Sequence, residues 1–138
     1  MNMQNALQNL NWLAILVAAV SAFILGFLWY SPMIFAKRWM KENNFTEESM
    51  KNANMLKIFG LSFLLMLFAS FNLAMFVGKN PGALFGTMAG FLAGLGWVFT
   101  FMGVTYLFER KSLALFLINS CYSVISLTLM GLIIGVWQ

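Results

Sequence analysis

The 138-residue chain has no histidine, one cysteine, two prolines and only four acidic residues, and charged residues make up 9% of it. Each shortage removes a class of function. Transition metals are held by close groups of His, Cys, Asp and Glu; four carboxylates scattered around the connections and a lone Cys121 offer no metal site, and no cofactor is expected. A single cysteine also excludes an intramolecular disulfide. Ordinary soluble domains are about 25% charged and about 45–50% apolar, whereas 62% of this chain is hydrophobic. Water is therefore not its main solvent. The basic residues alternate with Trp, Phe and Met beside apolar stretches, a pattern that suits an anionic membrane surface and excludes nucleic acid as the expected partner.

What the chain has instead is four uncharged apolar runs, at about residues 10–30, 58–77, 83–108 and 113–137. A hydrocarbon core of about 30 Å needs about 20 helical residues to cross it, and each run supplies them. The ten-residue alternation of a membrane barrel is absent. The spacing thus predicts an all-α transmembrane four-helix bundle, a single membrane domain over residues 1–138. No Lys or Arg precedes the first run, which ends in Trp29-Tyr30-Ser31-Pro32 rather than at small cleavage-site residues, so it is expected to be retained. Lys37, Arg38, Lys41, Lys51 and Lys57 crowd the first connection (31–57) and Arg110 and Lys111 the third, leaving only Lys79 for the second. The excess of positive charge on cytoplasmic loops puts connections one and three in the cytoplasm and both termini outside.

The first connection reads as an amphipathic interfacial helix, capped by Ser31 with Pro32 in its first turn. Met33, Phe35, Ala36, Trp39 and Met40 fall on one half, with Lys37, Arg38, Lys41 and Glu42 on the other. Trp29, Tyr30, Phe35, Lys37, Arg38 and Trp39 form the expected anchor against anionic headgroups. Beyond it, Asn44 or Thr46 caps a second helix with Glu47 and Glu48 in its first turn, expected to run on through Met55 and Lys57 into the second span.

In the third run Gly82, Gly86, Gly90 and Gly94 recur every four residues, a spacing that lets another helix approach closely. The partner is either a helix of the same subunit or a second copy, and a homo-oligomer is expected. Trp97 falls near the midplane, where its indole N–H needs an acceptor or a wet cavity; core packing is the preferred expectation, and with Thr100 it is also a candidate to line a ligand site or pore. The fourth run carries a polar stripe, Asn119, Tyr122, Ser123 and Ser126, at i, i+3, i+4 and i+7, with Thr100 and Thr105 at similar depth. Such a stripe is helix-to-helix glue or the lining of a ligand cavity or pore. Glu109, Arg110 and Lys111 form a loop charge cluster, expected to pair or snorkel. No ionisable group lies within a span, although proton relays and ion-coupled carriers usually need one. Three functions fit: a self-associating, non-enzymatic binder of lipid or a small hydrophobic ligand; a subunit of a small oligomeric transporter or channel lined by the stripe; and a lipid-modifying enzyme relying on Glu109 and Tyr106. The first is the preferred reading.

Two stretches carry a family likeness. Gly26-Phe27-Leu28-Trp29-Tyr30-Ser31-Pro32, followed by Phe35, Lys37 and Trp39-Met40, opens it. Phe108-Glu109-Arg110, Leu113, Ile118-Asn119, Tyr122, Met130-Gly131 and Val136-Trp137 close it. Together they resemble the domain of unknown function 1761 family across nearly the whole chain. The resemblance implies a small multi-span membrane protein, mainly bacterial and so of the inner membrane, and implies no catalytic residue. The charge asymmetry sets a direct test: membrane-impermeant labelling of single cysteines at positions 37 and 79 in intact cells should modify only the second. Equal labelling of both would contradict the four-span topology.

Overall fold

The computed structural model describes residues 2–138, and every element in it is helical: α1 (Met3–Gln8), α2 (Trp12–Trp29), α3 (Ala36–Glu42), α4 (Glu47–Lys51), α5 (Met55–Val77), α6 (Ala83–Ala93), a π segment (Gly94–Phe99), α7 (Thr100–Phe108) and α8 (Leu113–Trp137). α2, α5, the continuous stretch Ala83–Phe108 and α8 are each long and apolar enough to cross a membrane. The second span begins at Met55, earlier than expected, because Asn54 accepts a hydrogen bond from the Lys57 amide and starts a new helix there. α4 has already ended at Lys51, so the expected continuous helix through Met55 is instead two helices. Asn11 caps α2 and Ser112 caps α8 in the same way, each side chain occupying an amide that the first helical turn leaves without a partner.

The interfacial segment also departs from expectation. Ser31 and Pro32 cap nothing. The Ser31 carbonyl closes a turn by accepting from the Ile34 and Ala36 amides, and α3 starts only at Ala36. Met33, expected on the helix's apolar face, precedes the helix and is exposed, whereas Phe35 packs at a tilt on Trp29 at 4.8 Å between ring centroids. Asn44 is not a cap either; at φ +56° it closes α3, with Phe45 N–H bonding the Met40 carbonyl, and Thr46 is the residue that caps α4.

α8 lies at the centre, packed against α2, α5 and the α6 to α7 span. In α2, α5 and α6 the buried residues gather in the half that carries the termini and the second connection, while α8 is buried along its whole length, from Leu115 to Gly135. In that half α2 contributes Ala14, Ala18, Ala19 and Ala22, α5 contributes Ala74, and α6 contributes Gly86 and Gly90, all buried. The Ser70 hydroxyl donates to the Ile15 carbonyl at 2.8 Å, a buried bond that joins α5 to α2. At the same end Asn11 Nδ2 donates to the Trp137 carbonyl at 2.8 Å and the Asn80 amide to the Gln138 carbonyl at 3.2 Å. In the other half, which carries the basic connections, α5 has no buried residue before Ser70 and α7 has none at all.

The partner of the glycine face is α8 of the same chain. A methyl group on Gly86 would strike the Gly131 carbonyl oxygen, one on Gly131 the Gly86 carbonyl, one on Gly90 the Leu127 carbonyl and one on Gly94 the Cα of Val124. Each glycine Cα thus faces backbone, the arrangement in which Cα–H···O contacts add about 0.5–1 kcal/mol each. Gly82 is the exception, since it precedes α6 at φ +81° and offers its carbonyl to Gly135. The face is therefore filled within one subunit and is closed to a second copy.

Gly90→Ala should accordingly destabilise the monomer, because overpacking costs about 1–3 kcal/mol against the about 1 kcal/mol gained in helix propensity. Gly60, in mid-α5, has open space where a Cβ would go, so Gly60→Ala should be neutral or stabilising. Unfolding in mixed detergent micelles, with particle mass followed in parallel, checks both. A lowered mass in Gly90→Ala with unaltered monomer stability would contradict the intrachain seam.

Candidate functional site

The half of the bundle nearest the basic connections is held by aromatic and polar groups rather than by small residues. Bulky side chains hold the helices apart there: Phe23 and Phe27 of α2 meet Phe59 of α5 at 6.0 and 5.3 Å, and Phe99 meets Phe116 of α8 at 4.7 Å. α5 packs on α2, α6 and α8, and α7 packs on α8, while α5 and α7 share no substantial contact with each other. At this end α5 and α7 are joined only through the helices they both pack on.

The polar stripe of α8 lies in this half, and most of its groups are already engaged. Tyr30 Oη donates to Asn119 Oδ1 at 2.7 Å, and Asn119 Nδ2 donates to Tyr106 Oη at 2.9 Å. One amide thus links the end of α2, α8 and α7. Tyr122 Oη donates to the Ala22 carbonyl at 3.0 Å, passing close to Gly26, and Trp29 Nε1 donates to the Ile118 carbonyl at 2.9 Å. Ser123 Oγ bonds the Asn119 carbonyl at 3.1 Å and lies 3.9 Å from Met102 Sδ. Ser126 and Ser120 are fully buried, and their hydroxyls have no partner. Asn119, Tyr122, Ser123, Tyr106 and Tyr30 are each half-buried. The ring of Tyr30 contacts those of Tyr122 and Trp39 at 5.4 and 5.8 Å, which docks α3 against this cluster.

Arg38 and Glu42 pair at 2.7 Å on α3, the one ion pair among the described residues. The Ser112 hydroxyl, and after it the Arg38 guanidinium, hold the Glu42 carboxyl below its usual range, and α3 packs on α8. Lys37 and Lys41 point outward and are exposed. The expected pairing among Glu109, Arg110 and Lys111 does not form; Arg110 sits at φ +56°, where the chain reverses and the Lys111 amide bonds the Tyr106 carbonyl. This turn points the three side chains outward and all are exposed.

Two other candidates lie away from the cluster. Trp97 is 63% exposed rather than packed in the core, and it falls within the π segment, whose wider turn shifts the helix register at that point. Thr100 is exposed and its hydroxyl returns to the Gly96 and Trp97 carbonyls of its own helix at 2.8 and 3.0 Å, so it does not face the α8 stripe. Thr105 and Asn72 likewise bond the carbonyls of Phe101 and Phe68. Sequence reasoning missed the pairing of Tyr30 with Asn119 and of Trp29 with Ile118. A signal was available, because the two stretches that carry the family likeness contain these residues and the fold brings them together. Among the described residues no group of His, Cys, Asp and Glu could hold a metal ion. Two clefts lie near the termini, a partly enclosed one lined by Asn5, Asn9, Leu10, Ala74, Lys79 and Gln138 and a more open one beside Asn11, Trp12 and Trp137.

Four candidate spans joined by short connections and one amphipathic segment define a small multi-pass helical membrane protein. A family model described as "Protein of unknown function (DUF1761)" matches residues 13–135, and the chain belongs to that family. No curated protein and no solved structure matches it.

Replacing Asn119 with Leu strands the Tyr30 hydroxyl and frees α7. Interhelical bonds in membranes average about 0.6 kcal/mol with a maximum of about 1.7, so Asn119→Leu should cost about 1–2 kcal/mol in a denaturant titration in bicelles. A loss indistinguishable from that of Asn72→Leu, which breaks only a bond within one helix, would show that the three-helix link carries no weight.

Proposed function

We propose that the protein is a non-enzymatic membrane protein that binds a lipid or another hydrophobic molecule in a lateral opening between α5 and α7. The observation that carries this reading is the uneven packing of the bundle: at one end α6 and α8 meet backbone to backbone, while at the other α5 has no buried residue before Ser70, α7 has none, and the two are not packed on one another. Exposed apolar side chains of these two helices offer surface to an acyl chain, and burying such surface is worth about 25 cal/mol per Å² when water is the alternative but depends on fit alone inside a bilayer.

α3 supports the same reading from the surface. Lys37 and Lys41 face away from a helix whose Trp39 is docked on Tyr30, so its cations meet anionic headgroups at about 1 kcal/mol each. The basic end then faces the cytoplasm, across a bacterial inner membrane. Self-association belongs to the reading only through other surfaces, since the glycine face is occupied. The conduit and enzyme readings draw no comparable support: Asn119, Tyr122 and Ser123 bond to their own chain, and Glu109 stands exposed in a turn with no base or nucleophile beside it.

A phospholipid with a photoreactive diazirine midway along one acyl chain tests the proposal. After reconstitution and illumination, adducts should concentrate on the α5 and α7 segments that flank the opening and on α8 near Ser123. An even spread over every exposed apolar surface, including Leu84 and Leu132 in the opposite half, would overturn it.

A further inference from the structure

Independently of the opening between α5 and α7, we infer that the partly enclosed cleft at the other end of the bundle holds the phosphoethanolamine headgroup of a phospholipid, its ammonium on side-chain amide oxygens and its phosphate on Lys79. The cleft lies between α1 and the ends of α5 and α8 and has a volume of about 130 Å³, well above what one water requires. Asn5, Asn9, Lys79 and Gln138 line it, and Leu10 and Ala74, both buried, form its apolar part. The more open cleft beside it shares Asn9, Lys79 and Gln138 and reaches Trp12 and Trp137, both exposed. Tryptophan rings favour the level of the headgroups, which places both clefts at that depth.

Two observations select the headgroup. The first is the direction of the Gln138 amide. Its Nε2 donates to the Ala74 and Gly78 carbonyls, and because carbonyl oxygens only accept, nitrogen and oxygen cannot be exchanged. Oε1 is thereby fixed as an acceptor, and it is buried without a donor. Such an atom is costly to leave unpaired, and the cleft that Gln138 lines is the route by which a donor can arrive. Asn9 repeats the pattern: its Nδ2 is spent on the Asn5 carbonyl at 2.6 Å, which leaves Oδ1 to accept. The second observation is charge. Among the described residues Lys79 is the only charged side chain lining either cleft, and it has no ion-pair partner. The four carboxylates of the chain all lie in or at the first and third connections, at the other end. One cation beside amide oxygens calls for a ligand with one anionic group and several N–H donors. A primary ammonium two carbons from a phosphate has both. The trimethylammonium of choline has no N–H, and a glycerol headgroup brings no positive charge to the oxygens.

Native mass spectrometry of the full chain tests this with phosphatidylethanolamine, its N-methyl and N,N-dimethyl derivatives and phosphatidylcholine, all of identical acyl chains. Retention by the wild type should fall with each methyl added, ending about tenfold lower for phosphatidylcholine, the worth of one hydrogen bond to a charged group. Asn9→Ala with Gln138→Leu should reduce that preference to about twofold or less. Because Gln138 also ties α8 to α5, the methyl series on the unaltered chain carries the test if this variant does not fold. Lys79→Gln should weaken all four lipids severalfold and leave the preference intact, since each has the phosphate. Lys57→Gln with Arg110→Gln, at the opposite end, should change nothing. Equal retention along the methyl series would overturn the inference. So would phosphatidylglycerol held as strongly as phosphatidylethanolamine, or a preference that survives the loss of Asn9 and Gln138. Soluble phosphoethanolamine in excess should not displace the lipid; displacement would identify a site for a free zwitterion and refute the assignment to lipid.

Discussion

The contact between the backbones of α6 and α8 is the constraint on which the rest of the bundle depends. Lipid tails are as apolar as leucine, so helices in a membrane gain nothing from merely hiding apolar surface, and association rests on close fit and on polar contacts between backbones. Gly86, Gly90, Gly131 and Gly135 remove the side chains that would keep the two helices apart, and carbonyl oxygens then lie where methyl groups would otherwise be. With α6 fixed on α8, the short second connection sets α5 beside α6, and the alanines of α2 close the remaining side.

Glycines that meet the backbone of a neighbouring helix gather toward one end of the bundle, and the consequence is an asymmetric molecule. Beyond Ala22 on α2 and before Ser70 on α5, the facing positions hold Phe23, Phe27, Phe59 and Phe63, whose rings pack edge to face at 5.2–6.0 Å and cannot let the backbones meet. A helix pair in backbone contact at one end and spaced by rings at the other must diverge. Polar bonds replace dispersion as the tie in that wider half: Asn119 spans the gap to Tyr30 and Tyr106, and Trp29 and Tyr122 reach carbonyls across it.

Much of this architecture was legible in the sequence. Run length and absence of charge located four spans, with the third and fourth bounded where the structure bounds them. Thr46 with Glu47 and Glu48 was readable as a helix start because capping is local chemistry. The start of α3 was not: Ser31-Pro32 has the composition of a cap, but the Ser31 carbonyl closes a turn onto Ala36 instead, and docking of Trp29 and Phe35 decides the geometry. The glycine spacing announced a close approach without naming the partner, since the Gly131 and Gly135 pair on α8 was not matched to it. Trp97 was misjudged because a straight α-helical projection does not contain the π segment that resets the register ahead of Thr100. Of the polar stripe, its inward direction was readable; its partners were not, as Tyr30 and Tyr106 are separated from Asn119 by 89 and 13 positions.

The asymmetry also decides where chemistry is available. In the half with the termini, polar groups such as Ser70 are spent on neighbouring carbonyls, and the clefts of that end lie at its rim, beside Leu10, Ala74 and Gln138. In the wider half the hydrogen-bond network runs from Tyr30 through Asn119 to Tyr106, so one amide side chain on α8 holds the ends of α2 and α7. The positive charge of the connections falls on this same end because α5 begins there and α7 stops there. The change from small to aromatic residues halfway along α2 and α5 thus coincides with a change in what ties the helices, from backbone contact to side-chain hydrogen bonds.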